Sequence, residues 1–145
     1  MVTSPVTVFK SISWFLGIAM LMFGILKFVN PFKGWYTIQV ANSGLGQSSY
    51  TLGIAGEIAV GITLFICLIY RKRISTKSYT FFTTVSYSAI IIMMLTGSYV
   101  HLHPNVPGDV LPLKIKPPYI PVFFLLIALS NIVLMMGTML KAKRI

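Results

Sequence analysis

The chain alternates between long apolar blocks and short polar or proline-rich connections. Four blocks stand out, roughly residues 12–29, 51–70, 79–100 and 119–140, each of 18 residues or more. At about 1.5 Å of helix per residue, each can cross a hydrocarbon core of about 30 Å. The pattern predicts an all-α fold: a polytopic membrane protein built as a four-transmembrane-helix bundle, one domain over residues 1–145. The first block, preceded by Lys10, is longer than a usual signal-peptide core and no A-x-A-like cleavage site follows it, so it reads as an uncleaved span. Residues 1–11 read as a polar lead, with Pro5 marking the last irregular turn before the first helix. Asn30-Pro31 ends that helix, because the residue before proline is driven out of the helical region.

The connections differ in kind. Between spans one and two, Phe32, Trp35, Tyr36, Gln39 and Val40 follow helical spacing and residues 42–46 supply a stop. This predicts a short amphipathic helix in the membrane interface, its aromatics at headgroup depth. It would roof whatever lies beneath it; the plainer reading is an aromatic-belt anchor with no part in a site. Spans two and three are joined by the short RKRISTK segment and form an antiparallel hairpin. The last connection, 101–121, holds six of the eight prolines. Proline at that density restricts backbone torsions, so the segment reads as a defined lid rather than a loose tether.

Composition sharpens this picture. Hydrophobic residues make up 56% of the chain and charged residues 10%, outside the usual soluble range. The net charge of +10 is unevenly placed. With four spans, the two termini and the second connection share one side, which carries Lys10, Arg71, Lys72, Arg73, Lys77, Lys141, Lys143 and Arg144 and no acid. The other side has Lys33, Lys114 and Lys116 against Asp109. By the positive-inside rule both termini are cytoplasmic. The basic excess thus reads as a topology signal and a contact for anionic lipid headgroups, and argues against nucleic acid as a partner. The expected location is the cell membrane, as a multi-pass protein of a bacterial inner membrane. Cys67 is the single cysteine, which excludes an internal disulfide or redox pair; it reads as a small apolar side chain.

Against this background Glu57 is the most unusual residue. A carboxylate near mid-membrane costs about 2.5–3.5 kcal/mol on insertion scales, so it is expected to face a bundle interior and to have a partner. Gly53, Glu57 and Gly61 share one helical face, and small residues there let another helix, from this chain or another protomer, approach closely. In the first span Gly17, Gly24 and Lys27 occupy a comparable face. If the second span begins at residue 51, Glu57 lies about 9 Å below its outer end, within reach of a lysine stem. Lys27 and Glu57 are therefore read as an ion pair, in preference to the common alternative for Lys27 taken alone, snorkelling to the outer headgroups.

His101 lies four residues beyond Gly97 and faces the bundle if the third helix continues that far. Lys27, Glu57, His101, His103 and Asp109 all fall towards the outer half, a set able to exchange protons with a lipophilic molecule. His-x-His with a carboxylate is a weak metal signal, since the two rings point apart on a helix and together on a strand, and no metal is assigned. Covalent catalysis finds no Ser/His/acid arrangement, and haem no facing pair of deep histidines. In span four Asn131 is read mainly as a helix-bridging amide, with a polar ligand contact as the weaker alternative. The hydroxyls of span three, from Thr80 to Ser88, are read as bonding backbone or neighbouring helices.

At these residues the chain resembles the DoxX family of small four-helix membrane proteins. The segments that carry the resemblance are MFGILKFVNP in span one, GIAGEIAVG in span two and HLHPNVPGDVLPLKIKPPYIP in the last connection, in that order over nearly the whole chain. Lys27 with Phe28, and Glu57 with Gly53 and Gly61, stand at family-like positions; no catalytic role attaches to them. The resemblance implies an accessory subunit of a quinone-linked membrane oxidoreductase, with a polar pocket near the outer face, a bound quinone or other lipophile, and a partner subunit carrying the electrons. A non-catalytic scaffold or assembly factor, or a lipophile-binding protein, is the alternative that the residues themselves allow.

Overall fold

A computed structural model describes residues 4–142, with side chains described over 4–137. Lys143 and Arg144 of the basic side lie outside the described residues, as do the side chains of Thr138 and Lys141. Five α-helices run in order: α1 (Pro5–Leu26), α2 (Phe32–Ser43), α3 (Gly46–Ile69), α4 (Thr76–Leu102) and α5 (Tyr119–Ala142). Two 3₁₀ turns, Gly108–Val110 and Pro112–Lys114, lie between α4 and α5. All but α2 are long and apolar enough to cross a membrane, so the molecule is a multi-pass helical membrane protein. Large apolar side chains such as Ile18, Ile62, Phe81 and Leu126 point outward, as a lipid-facing surface requires.

Local chemistry moves the helix ends from their expected places. Pro5 begins α1 instead of preceding it: Ser4 caps the helix by accepting from the Thr7 amide at 3.3 Å, and proline suits the first helical position because its missing N–H has no intrahelical partner there. α1 then stops at Leu26, a turn before Asn30-Pro31, and Lys27 is its C-cap, where a cation is favoured by the exposed carbonyls. Pro31 instead stands at the start of α2, which ends at Gly44 in the left-handed region (φ 72°) that glycine adopts without steric penalty. α3 follows at Gly46, five residues before the expected boundary. Ser75 caps α4 by accepting from the Ser78 amide.

Around the bundle the order is α1, α3, α4, α5, with α5 closing against α1. The α1–α3 crossing is the most extensive and the tightest. A Cβ on Gly61 would lie 2.9 Å from the Leu21 amide nitrogen and 3.0 Å from the Gly17 carbonyl oxygen, so only glycine fits there. The small residues are thus met by the chain's own helices. This matters because lipid tails are as apolar as the helices, leaving close van der Waals packing as a main source of association. Leu16, Met20, Leu64, Tyr87, Ile90 and Ala128 fill the core between the helices.

A second, smaller core lies at the α2 end. Val106, Val110 and Leu111 from the proline-rich connection are buried with Val100, and Trp35 of α2 packs against them. Gln39 Nε2 donates to the Val110 carbonyl at 2.5 Å, Tyr99 Oη to the Ser43 carbonyl at 3.1 Å, and Lys116 Nζ to the carbonyls of His103 and Val106. The proline-rich segment is therefore a folded cover bonded to α2. The opposite end carries Lys10 and the turn with Arg71, Lys72 and Arg73, whose Arg71 guanidinium lies over the Tyr79 ring at 4.2 Å.

Candidate functional site

Beneath α2 and its cover, α2 and the four long helices line a partly open cavity of about 920 Å³. That falls within the range of about 300–1,000 Å³ usual for small-molecule sites. Its wall is mainly apolar and aromatic, with Phe23, Trp35, Met93 and Phe124 among the lining side chains. Leu52 of α3 and Ile92 of α4 also line it while remaining 70% and 64% exposed, so the wall runs on into the lipid-facing surface.

Three of the candidate residues converge on this cavity. Lys27 Nζ donates to Glu57 Oε1 at 2.6 Å, an ion pair in which Glu57 is buried and Lys27 partly so. The pair forms at a different depth from the one helix boundaries at residues 51 and 29 imply. Because α3 begins at Gly46, Glu57 lies eleven residues into it (57 − 46), about 16 Å of helix rather than 9 Å. The reach still works because α1 is correspondingly short. Gly24 sits against Glu57 and Ile58, a Cβ there falling 3.3 Å from the Glu57 Cβ, which sets Lys27 one turn above the carboxylate.

His101, in the last turn of α4, is the third. It is only 4% exposed and lines the cavity, with its ring against the backbone of Ile115, Lys116 and Pro117. Gly97, one turn earlier, packs on Pro121 of α5, which draws this part of α4 into the bundle. Two buried atoms at the cavity have no hydrogen-bond partner among the described residues: Glu57 Oε2 and His101 Nδ1. Buried polar atoms are ordinarily paired, so both mark where a ligand group could bind.

The remaining candidates do not line the cavity. His103 is the C-cap of α4; its ring lies edge-on to Tyr99, and its Nδ1 accepts from the Asn105 amide at 3.3 Å. Asp109 is exposed on the first 3₁₀ turn. Asn131 lies deeper, in the main core, where Nδ2 donates to Tyr87 Oη at 2.8 Å and Ser13 Oγ at 3.1 Å. It joins α5 to α4 and α1 and does not line the cavity; its Oδ1 is also buried without a hydrogen-bond partner among the described residues. Among the described residues no three His, Cys, Asp or Glu side chains come together as a metal-binding group.

Tyr36 of α2 is the contributor that sequence spacing placed on a roof without giving it a role. Lys27 Nζ stands 4.1 Å from the centre of its ring, so the ammonium is held between a carboxylate and a π face. The Tyr36 hydroxyl donates to the Ser49 carbonyl at 3.3 Å. Burial, with smaller contributions from the nearby Glu57 and Tyr50, pushes this phenol up to about 12, so it remains a neutral donor at physiological pH. Gly53 is what admits it. A Cβ at Gly53 would fall 2.1 Å from the Tyr36 hydroxyl, so this glycine serves the roof and not a neighbouring transmembrane helix, as the shared face with Gly61 had suggested.

A double-mutant test follows. Gly53→Ala is expected to displace Tyr36 and lower the thermal unfolding temperature in detergent. Gly53→Ala combined with Tyr36→Phe should recover most of the loss, because the clashing oxygen is gone. A Gly53→Ala variant as stable as the parent would contradict this packing. The geometry therefore joins a neutralised charge pair, two unpaired polar atoms and a largely apolar chamber under an aromatic roof. Comparison with protein-family models, with curated proteins and with solved structures finds no match to this chain.

Proposed function

We propose that this protein holds a lipophilic small molecule in the chamber beneath α2, its head near Lys27, Glu57 and His101 and its tail against the apolar wall. The observation that carries this reading is the coincidence of a cavity of about 920 Å³ with the Lys27–Glu57 pair on its wall, its carboxylate buried. A purely register-fixing pair needs no chamber beside it. Continuity of the wall with the lipid-facing Leu52 and Ile92 supports supply of the ligand from the membrane.

Within this reading, the DoxX resemblance suggests a redox setting. A quinone in the chamber would make the protein an accessory subunit of a membrane oxidoreductase, with Glu57 handling protons and a partner subunit carrying electrons. The charge bias supports a reading with α2 on the outer face, as in a bacterial inner-membrane protein. A scaffold role remains the alternative, favoured by the tight α1–α3 crossing that Lys27 and Glu57 cap.

The test is mass spectrometry on protein extracted gently from its own membrane, comparing wild type with Glu57→Gln. A lipophile present in the wild type and lost in the variant is the expected result. A wild type that carries no small molecule would overturn the binding reading and leave the scaffold role.

A further inference from the structure

The chamber's polar atoms also constrain the chemistry of the head group, an inference that rests on the binding role above. Lys27 and Glu57 are the charged side chains among the described residues lining the chamber, and they neutralise each other at 2.6 Å. A carboxylate, phosphate or ammonium head would enter this apolar space without a free counter-charge, which is strongly disfavoured. A wholly apolar ligand would leave Glu57 Oε2 and His101 Nδ1 buried and unpaired. Glu57 is only 6% exposed, and its 2.6 Å pairing with Lys27 favours the ionised carboxylate; in that form Oε1 is occupied and Oε2 can only accept. The matching group must therefore donate. His101 Nδ1 donates or accepts according to tautomer, so it offers a second polar contact on the chamber wall.

We propose that the chamber selects a neutral amphiphile whose head carries a hydroxyl group that donates a hydrogen bond to Glu57 Oε2. Phenolic heads, as in a quinol, and aliphatic alcohols, as in an acylglycerol, share this chemistry. The selecting element is the half of the carboxylate that Lys27 leaves open.

The experiment titrates the purified full chain in nanodiscs with five probes of similar chain length: 3-pentadecylphenol, its methyl ether, hexadecanol, palmitate and hexadecylamine. Trp35 fluorescence is the readout, since Trp35 lines the chamber, while Trp14 packs on Phe65 away from it. The phenol is expected to bind at least about tenfold more tightly than its methyl ether, the effect of one hydrogen bond to a charged acceptor. Hexadecanol against the phenol separates the alcohol source from the aromatic one, and either one outbinding both charged probes supports the proposal. In the double variant Lys27→Met with Glu57→Leu, both phenol and ether should bind with the preference between them lost. Equal affinity of phenol and ether in the wild type, or tighter binding of palmitate or hexadecylamine, would overturn the hydroxyl selection while leaving the chamber a binding site. Failure of all five probes to bind would overturn the binding role itself.

Discussion

Replacing Lys27 with methionine while keeping Glu57 is expected to destabilise the protein by about 3 kcal/mol, the lower end of the range for breaking a buried ion pair, because Lys27 is only partly buried. The loss should exceed that of most lipid-facing substitutions. Lys27 meets the carboxylate at 2.6 Å and is covered by Tyr36, and it is the ion-pair partner of Glu57 among the described residues. The penalty belongs to the stranded charge more than to the bond. Removing both charges, as Lys27→Met with Glu57→Leu, should therefore restore most of the stability, since a buried pair replaced by well-packed apolar groups is often neutral. The charge-swapped pair, Lys27→Glu with Glu57→Lys, should likewise recover part of what each single change loses. Thermal unfolding in detergent, followed by size-exclusion chromatography, measures all of these. A Lys27→Met single variant that melts with the wild type would show that the pair contributes little.

The second large effect concerns the α1–α3 crossing. Gly61→Val is expected to cost about 3 kcal/mol, the upper end of the usual overpacking range. The clash is with main chain: a Cβ at 61 would meet the Leu21 amide and the Gly17 carbonyl, which cannot turn away as a side chain can. The whole crossing must open, and with it the register that brings Lys27 above Glu57. Gly56 provides the contrast. Its added Cβ would meet Met93 Sδ at 3.3 Å, the end of a flexible side chain, so Gly56→Ala should be tolerated. Comparable losses in the two variants, read as folded yield and melting temperature, would count against the crossing as described.

Much of this architecture was legible in the residues themselves. Four apolar blocks give four spans because length and hydropathy answer to the bilayer and need no knowledge of the other helices. The short helix α2 was legible from the spacing of Phe32, Trp35, Tyr36 and Gln39, and its end from the stop at residues 42–46, within which the structure puts the cap at Gly44. The pairing of Lys27 with Glu57 followed from the penalty on a lone buried carboxylate. Helix ends were less legible. Pro5 has two readings, breaker or first helical residue, and the Ser4 cap that decides between them acts through a single hydrogen bond.

The candidate site was legible only in part. Lys27, Glu57 and His101 were marked by residue type, and the chamber that joins them was not, since a cavity is what several helices fail to fill together. Asn131 and His103 carry the same chemistry as true lining residues and were set apart only by rotation and depth. Tyr36 offered no sequence signal beyond an aromatic on an interfacial face, because its partners, Gly53 and Lys27, belong to two other helices.

By itself, then, the sequence determined the environment of this protein, its number of spans, its charge asymmetry and the one acid that must be compensated. Each follows from the transfer of particular residues between water and lipid, a property each residue carries with it. The tertiary structure alone decided that Glu57 keeps one oxygen open beside an apolar chamber and that His101 shares it. It also decided that a tyrosine from the roof closes over Lys27. These depend on where three helices end and how closely two of them cross, and such distances exist only once the bundle has packed.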